Sequence, residues 1–361
     1  MRVLFTDSPH STMSSSAPAA PAAAAAETPA AYLSLALSLA HLAGRALHTS
    51  WLIHPNDRPR FATKTSSADV VTETDSRCEA IIFEGIRAVY PAHHLLGEES
   101  HETEGIYPAL PPDSSAIQWI VDPIDGTNNF IHGLPGVAVS IGVLRGRDVV
   151  AAVIHRPALG ESVYATAGGG AWRVDVTPSP QGQAQGSSMG TPTRLRSSTI
   201  TSLSAACVAT EMGYSRNTAL VDLMLAKVRS LLVAGQTQSV RMSGSCCCNL
   251  ADIASGKLDA YWEGINTRVG PKPWDVAAGS LIVREAGGAV ADPAGKTFSI
   301  WNGRILAAAN PAILQAVVTA LNAATEEWIS KHPDMKEQVE YKEGAGIATT
   351  GNGAAAQSSK L

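Results

Sequence analysis

The chain has few cysteines, no excess of positive charge and no long apolar run. Only five of its 361 residues are cysteine, and because they form no pairing framework we expect a reducing compartment. The adjacent residues Cys246 to Cys248 lack the C-x₂-C spacing of a zinc site, so we expect them to be small buried residues. A formal charge of −5 argues against a protein that binds nucleic acid through a basic surface.

Apolar stretches are too short or too interrupted for a membrane protein. Residues 33–43 come closest, but Ser34, Ser38 and His41 interrupt them, whereas a spanning helix needs about 20 nearly uninterrupted apolar residues. Residues 1–16 also lack the apolar core of a secretory signal. We therefore expect neither a membrane span nor secretion.

Low-complexity segments suggest how the chain is organised. Ala/Pro/Ser-rich and Gly/Ala/Ser-rich ends indicate flexible tails, and a Ser/Gln/Gly-rich stretch indicates a surface insertion. The predicted units are a tail at 1–30, an N-terminal α/β half with the metal site at 31–175, an insertion at 176–193, a C-terminal α/β half at 194–330 and a tail at 331–361.

Hydrophobic periodicity predicts alternating groups of helices and strands. The predicted helices are 32–50, 76–90, 218–233, 244–254, one from Asp275 to 286, and 311–328. The predicted strands are 94–96, 118–121, 137–144, 148–155, 162–165, 206–210 and 258–262. Two runs of strands interleaved with helices favour a layered α/β (α+β) sandwich over a single doubly wound sheet.

The segment Asp122-Pro-Ile-Asp-Gly-Thr-Asn-Asn-Phe130 follows the apolar run 119–121 and has the composition of a metal-phosphate site. Pro123 has no N–H, so strand pairing should stop there. Asp122, Asp125 and the carbonyl of Ile124 are hard-oxygen donors of the kind that Mg²⁺ prefers. An ordinary Asp-Pro/Asp-Gly surface turn is the alternative. The segment is not an EF-hand loop, which would need a glutamate where Gly133 stands.

The end of this segment offers a place for a phosphate group. Gly126 permits a tight turn, and Thr127 is expected to cap a short helix that begins near Asn128. The free N–H groups and positive dipole end of such a helix favour an anion. Thr127 could also orient a metal-bound water.

Two further acidic motifs lie far away in the sequence. Glu98 and Glu99 follow the predicted strand 94–96, and since neighbouring strand residues face opposite ways, we assign Glu98 to the metal and Glu99 to a supporting position. A solvated acidic turn is the alternative. Asp275 stands at a helix start, where it is either a metal ligand or a plain N-cap. Carboxylates from several segments are typical of a two-metal phosphatase.

Three ordered motifs resemble the signatures of the inositol monophosphatase family. They are Gly97-Glu-Glu-Ser100, the segment 122–130, and Trp274-Asp-Val-Ala-Ala-Gly279, and the resemblance extends over about residues 32–321. It implies a layered αβαβα sandwich of the inositol monophosphatase/fructose-bisphosphatase type, with the site between the two halves, and a homodimer.

The resemblance also implies a role for individual residues. Two or three Mg²⁺ ions per active site would be held by Glu98, Asp122, the Ile124 carbonyl, Asp125 and Asp275. Asp75 would pair with Thr127 to position or deprotonate the attacking water, with Glu99 in support. Substrate would be contacted by Lys64, Gly126, Thr127, Gly244, Ser245 and Glu263.

The resemblance implies Mg²⁺-dependent hydrolysis of inositol monophosphate or a similar polyol phosphate by metal-activated water, and inhibition by lithium. The loop 265–273 is longer than the family pattern, and its Arg268 and Lys272 could bind a second phosphate. A 3′(2′),5′-bisphosphate nucleotidase or a sugar bisphosphatase is therefore an alternative, unless the loop is only solvated surface. A non-catalytic scaffold is a further alternative, disfavoured by the many polar groups that would converge on one point.

The last three residues, Ser359-Lys360-Leu361, match a peroxisomal import signal. They predict binding to the peroxisomal import receptor and a peroxisomal location, with the cytoplasm as the alternative. The expected partners are thus a small phosphate monoester, a second copy of the chain and this receptor, with neither a nucleic-acid polymer nor a membrane.

Overall fold

The computed structural model describes residues 26–52, 61–63, 70–101, 115–177, 188–266 and 270–339. The helices are α1 (Pro29–Trp51), α2 (Glu73–Val89), α3 (Glu98–His101), α4 (Thr127–His132), α5 (Thr218–Val233), α6 (Cys246–Ala254), α7 (Pro273–Glu285), α8 (Pro311–Lys331) and α9 (Lys336–Val339). The strands up to residue 200 are β1 (Phe61–Thr63), β2 (Val70–Thr72), β3 (His94–Gly97), β4 (Ile117–Asp125), β5 (Ala138–Arg145), β6 (Asp148–Arg156), β7 (Glu161–Thr166), β8 (Gly170–Thr177), β9 (Ser188–Met189) and β10 (Thr193–Arg194). The later strands are β11 (Cys207–Thr210), β12 (Ser239–Arg241), β13 (Ala260–Glu263), β14 (Ala289–Ala291) and β15 (Ile305–Ala308).

These strands form two principal sheets. The larger one has eight strands in the order β10-β8-β7-β6-β5-β4-β3, with β9 paired to β8. Only β3 and β4 are parallel in it, while the other pairs are antiparallel. The smaller sheet has the order β12-β11-β13-β15-β14, and in it β11 is parallel to both of its neighbours. β1 and β2 form a separate antiparallel pair.

Three hydrophobic cores hold five layers together, and the middle core surrounds the helices of the central layer. Successive residues of a strand point to opposite faces, so Val121 packs with α1 and α2 on one face of the large sheet, while Ile120 packs with α6 and α7 on the other. In the small sheet, Tyr261 joins this middle core, and Trp262 packs outwards against α5 and α8. The order of layers is therefore αβαβα, which confirms the predicted fold class.

Every predicted helix is present, with bounds shifted by a few residues. The strands β1, β2, β8, β9, β10, β12, β14 and β15 were not predicted. Most of these are only three or four residues long, which is too short for an alternating pattern to stand out.

The expectation that pairing stops at Pro123 is wrong. β4 continues to Asp125, which pairs with Ala138 after a register shift that begins beyond Asp122. Such a bulge leaves extra residues without a partner in the ladder, so the missing N–H of proline costs no hydrogen bond there. The bulge also brings both aspartates to the end of the same strand.

The expectation that no segment is long and apolar enough to cross a membrane also needs correction. α1 has 23 residues and meets that criterion of length and composition. Its apolar face, which includes Tyr32, Leu39 and Leu47, is buried against α2 and the large sheet. Core helices of soluble proteins have the same composition, so the packing of α1 accounts for its apolar sequence.

Residues 331–339, which were predicted to belong to a flexible tail, are helical except at His332. α8 ends at Lys331, and α9 follows it, with Val339 buried in the outer core and its carbonyl accepting a hydrogen bond from Arg304 at 3.4 Å. At the predicted insertion, residues 188–189 and 193–194 pair with β8 as strands. Lys64, Arg268, residues 178–187 and the tripeptide 359–361 lie outside the described residues.

Candidate active site

The candidate site lies where several strands end. β3 and β4 are parallel, so Glu98 after β3 and Asp125 at the end of β4 lie at the same edge of the large sheet. In the small sheet, β12, β11 and β13 are parallel, so Gly244, Glu211 and Glu263 lie at their carboxyl ends. Carboxyl ends of parallel strands are the usual position of ligand sites in α/β proteins. All five residues line one open cavity of about 270 Å³.

Three aspartates from distant segments meet in this cavity. Asp122, Asp125 and Asp275 each offer a carboxylate oxygen, and these oxygens lie within 4.8 Å of one another. Asp275 is the third residue of α7, not its N-cap, and its Oδ2 accepts the N–H of Lys272 at 2.6 Å. The Oδ1 of Asp122 accepts the N–H of Ile124 at 3.0 Å. The structure thus brings together three of the predicted ligands.

The N-terminus of α6 holds Asp125 in place. The hydroxyl of Ser245 and the N–H of Cys247, at 2.9 Å, both donate to Oδ2 of Asp125. Ser245 is the N-cap of α6, since its Oγ accepts the N–H of Cys248 at 3.1 Å. The predicted helix from 244 therefore begins two residues later. Because Oδ2 is engaged by α6, the other oxygen of Asp125 is the one available to a ligand.

Like charges meet among these carboxylates, of which Asp122 and Asp125 are buried and Asp275 is half-buried. Burial, followed by the charges of Glu98, Asp125 and Asp275, raises the pKa of Asp122 well above its usual range. Burial and the charge of Asp275 raise the pKa of Asp125 to about 7. Buried charges are costly unless an opposite charge offsets them. A compact group of buried carboxylate oxygens fits Mg²⁺, a hard cation that prefers oxygen ligands.

The raised pKa values predict how metal removal affects stability. A carboxyl whose pKa is higher in the folded protein binds more protons when folded, so its contribution is lost as pH rises through the folded pKa. For Asp125 and Glu263, with pKa values of about 7 and about 8, this loss falls between about pH 5 and 8. The difference in Tm between Mg²⁺ and EDTA should therefore grow with pH over this range in thermal melts. A constant difference would contradict the charge cluster.

Thr127 is not the helix cap that was predicted. Gly126 is the N-cap of α4 and adopts the left-handed conformation, with φ of 88°. Thr127 is the first helical residue, and its hydroxyl lies 3.2 Å from Oδ1 of Asp75 and 3.0 Å from the carbonyl oxygen of Ile124. The predicted contact with Asp75 is thus present. Having one hydrogen, the hydroxyl donates to one of these acceptors at a time.

Asp75 is fully buried and also fixes the start of α2. Its Oδ2 accepts the N–H of Thr72 at 2.9 Å and the hydroxyl of the same residue, in a capping box. The helix therefore begins at Glu73, three residues before the predicted start. The capping box orients Oδ1 towards Thr127.

Glu98 and Glu99 begin a one-turn helix, α3, where a strand end was predicted. Adjacent side chains on a helix point about 100° apart. Glu98 lines the cavity, although it is not one of the three residues whose oxygens lie within 4.8 Å of one another. Glu99 does not line the cavity, and its N–H donates to Glu79 at 2.9 Å. The roles of both glutamates stay predictions.

The remaining predicted substrate residues surround the cavity. Gly126, Gly244, Ser245 and Glu263 all line it. Glu263 is buried, its Oε2 accepts the hydroxyl of Tyr261, and burial raises its pKa to about 8. Lys64 lies outside the described residues, so its position in the site stays a prediction.

Two unusual features of the sequence lie near this site, the three adjacent cysteines and the loop 265–273. Cys246 to Cys248 form the buried first turn of α6, as predicted for small buried residues. Cys247 also donates its thiol hydrogen to the carbonyl of Asp275 at 3.2 Å, which joins α6 to α7. In the loop 265–273, Lys272 lines the cavity.

Glu211 is a cavity residue that was not predicted. This residue follows β11 and lines the cavity together with Glu263. Its only sequence signal is a lone acidic residue after a short apolar strand, in Thr-Glu-Met-Gly. The parallel pairing of β11 with β13 is what places it in the site.

Comparison with known proteins gives a consistent result. The chain matches the model of the inositol monophosphatase family over residues 30–326. It is 39% identical over 254 residues to inositol monophosphatase 2 of Solanum lycopersicum, a match that covers 70% of this chain and 86% of that protein. The crystal structure of the extragenic suppressor protein SuhB of Bartonella henselae is similar, with a TM-score of 0.66, 30% identity, and coverage of 81% of this chain and 98% of the other. An IMPase of Thermotoga maritima aligns with a TM-score of 0.65 and 29% identity, over 82% of this chain and 99% of the other.

Proposed function

The chain belongs to the inositol monophosphatase family, and we propose that it is a Mg²⁺-dependent phosphatase that hydrolyses inositol monophosphate, or a similar polyol phosphate, to the free alcohol and inorganic phosphate. The observation that carries this proposal is the group of three aspartates, Asp122, Asp125 and Asp275, in a cavity that is also lined by Thr127 and Glu263. A scaffold protein would have no use for these buried like charges.

The carboxylates are suited to hold the metal. Asp122, Asp125 and Asp275, together with Glu98 and the carbonyl of Ile124, would hold two or three Mg²⁺ ions. When bound, Mg²⁺ activates a water molecule as the nucleophile and offsets the negative charge of the phosphate.

Thr127 and Asp75 would orient the attacking water. When the Thr127 hydroxyl donates to Asp75, its lone pairs face away from that carboxylate and can accept a hydrogen from water. Asp75 is held by Thr72 and is fully buried, so the pair is already oriented before substrate binds. Asp75 does not line the cavity, so a proton lost by water would reach it through the Thr127 hydroxyl, which would accept that proton and pass its own to Oδ1.

The alcohol part of the substrate would be recognised by the small sheet. Glu263 at the end of β13 can accept a hydrogen bond from a substrate hydroxyl, while Tyr261 fixes its orientation. Gly244 and Ser245, at the start of α6, are near enough to contact the phosphate ester, since both line the cavity.

Release of inorganic phosphate from a panel of esters tests this proposal. The panel contains inositol 1-phosphate, fructose 1,6-bisphosphate and adenosine 3′,5′-bisphosphate, each with Mg²⁺ and with EDTA. We expect release from inositol 1-phosphate only with Mg²⁺, and inhibition of this release by lithium. Preference for either bisphosphate would favour a nucleotidase or sugar bisphosphatase, and no release from any ester would favour a scaffold.

We also propose that the protein is imported into peroxisomes and acts as a homodimer. The tripeptide Ser359-Lys360-Leu361 supports the location, and the family resemblance supports the dimer. A fluorescent protein fused to the N-terminus should give punctate signal that overlaps a peroxisomal marker and becomes diffuse when Leu361 is removed. Diffuse signal from both fusions would contradict import. The homodimer is tested separately, by light scattering, which measures the oligomeric state.

A further inference from the structure

Glu211 is a cavity residue whose carboxylate is held rigidly on one side. Its Oε1 accepts hydrogen bonds from the N–H of Ser243 at 2.8 Å, the N–H of Gly244 at 2.9 Å and the side-chain amide of Asn249 at 3.0 Å. The hydroxyl of Ser243 lies 3.3 Å from the same oxygen. Because these donors come from the turn before α6 and from α6 itself, the carboxylate cannot rotate without breaking several bonds.

The second oxygen of Glu211, Oε2, is not held by such hydrogen-bond donors. Within the part of the chain that the structure describes, Oε2 accepts no hydrogen bond from another residue, and Glu211 forms no ion pair. Glu211 is half-buried, and the burial of its carboxyl raises its pKa. Because Glu211 lines the cavity, Oε2 is the acceptor that it offers to a donor group of a ligand.

Glu211 lies close to the residue that is expected to recognise the alcohol. It lines the same cavity as Glu263, and its charge contributes to the raised pKa of Glu263. The two residues are brought together because β11 and β13 are parallel neighbours. The part of the cavity beside the small sheet therefore carries two acceptors.

We propose that Glu211 is a specificity-determining residue whose Oε2 accepts a hydrogen bond from a hydroxyl group of the substrate alcohol, beside the one that Glu263 accepts. This inference rests on the proposed function, and it narrows the substrate class to phosphate esters of neutral polyols. A second phosphate at this position would face two carboxylates, and repulsion between like charges disfavours it.

The variant Glu211→Gln tests the role of Oε2. Glutamine keeps the volume and can turn its amide oxygen towards Ser243 and Gly244, which leaves an NH₂ group where Oε2 stood. We expect KM for inositol 1-phosphate to rise about tenfold, as for loss of one hydrogen bond to a charged group. For p-nitrophenyl phosphate, which has no hydroxyl groups, KM and kcat should stay within about twofold.

Glu285→Gln is the matched control. Glu285 also holds a glycine turn through its carboxylate, accepting the N–H groups of Gly168 and Gly170 at 2.7 Å each, but it does not line the cavity. The variant Glu285→Gln should leave KM and kcat unchanged for both substrates. If KM or kcat changed equally for both substrates in Glu211→Gln, or if the Mg²⁺ requirement changed, the inference would be overturned. Glu211 would then only hold the start of α6.

Calorimetric titration with free myo-inositol, in the presence of Mg²⁺ and phosphate, separates this inference from the proposed function. If the wild-type protein hydrolyses no ester, the proposed function is wrong. Binding of myo-inositol that is about tenfold weaker in Glu211→Gln would still support the hydroxyl contact. Equal binding by both proteins, or no binding by either, would overturn it.

Discussion

Replacing Asp125 with asparagine should lower kcat/KM for inositol 1-phosphate on the order of a thousandfold at saturating Mg²⁺, while the fold stays intact. A thousandfold loss corresponds to about 4 kcal/mol of transition-state stabilisation, which is the scale of a metal ion that polarises a phosphoryl group. Asp125 lies among the three aspartates whose oxygens are within 4.8 Å of one another, so the substitution removes one charge from the expected ligands without a change in volume.

The hydrogen bonds of Asp125 make this expectation specific. Ser245 and the N–H of Cys247 both donate to one oxygen of the carboxylate. In the variant, the amide oxygen of asparagine is the only atom that can accept from these donors, so the NH₂ group must face the other aspartates. An NH₂ group cannot bind Mg²⁺. The arrangement of α6 thus excludes the rotamer that would preserve a metal ligand.

Stability measurements distinguish loss of the metal site from unfolding. In EDTA, Asp125→Asn should melt no lower than the wild-type protein, because the charge repulsion that raises the pKa of Asp122 and Asp125 is reduced. The increase in Tm on addition of Mg²⁺ should become smaller. Asp259→Asn is a matched control, since Asp259 is also buried and accepts a backbone N–H, that of Cys207 at 2.7 Å, but lies outside the cavity. Activity of Asp125→Asn close to wild type would show that Asp125 is not a metal ligand.

The three aspartates could be identified as candidate ligands because each stands at a recognisable local signal, whereas their convergence was what the family resemblance implied. Asp122 and Asp125 follow a buried apolar strand, and Asp275 stands at the start of an apolar helix that Gly287, with φ of 92°, terminates. Hard-oxygen residues at the ends of elements are typical of metal sites. Local signals of this kind survive in a single sequence, and so β4 and α7 were predicted, although the end of β4 and the start of α7 were not.

Glu211 and several strands could not be predicted, because their positions depend on contacts between distant segments. β15 is the buried run Ile305–Ala308, which has no alternation that would distinguish it from a helix segment. Glu211 has no motif of its own, and its place in the cavity follows from the parallel order β12-β11-β13. That order is set by packing of the whole small sheet, not by residues near Glu211.

A buried ion-pair network joins three elements, β6, β7 and α6, and we expect its disruption to have a large effect on stability. Arg156 ends β6 and has only 1% of its surface exposed. Its guanidinium contacts Glu161 on β7 and lies 2.6 Å from Oδ1 of Asp252 on α6. Since α6 also holds Asp125 through its first turn, this network connects the middle of the large sheet to the helix that supports the metal site.

Arg156→Met should lower the free energy of unfolding by about 3 kcal/mol, because removal of one partner leaves the other charge buried without adequate compensation. Methionine retains an apolar stem of similar shape, so the loss of packing is small. Glu161 is 6% exposed, and its other cationic neighbours, Lys257 and Arg173, both lie 3.8 Å away, too far for a hydrogen bond. Urea denaturation in EDTA measures the effect without a contribution from metal binding.

The double variant Arg156→Met/Glu161→Gln identifies the cause. If the cost comes from the uncompensated charge of Glu161, its neutralisation should restore at least half of the lost stability, since burying neutral groups is cheaper than burying an unpaired charge. Lys331→Met is the matched surface control: it removes the exposed ion pair with Glu327, at 2.7 Å, and should leave the urea midpoint nearly unchanged. If Arg156→Met shifts the midpoint no more than Lys331→Met does, the buried network does not stabilise the contact between β6 and α6. If the double variant is as unstable as Arg156→Met, the loss comes instead from the hydrogen bond to Asp252.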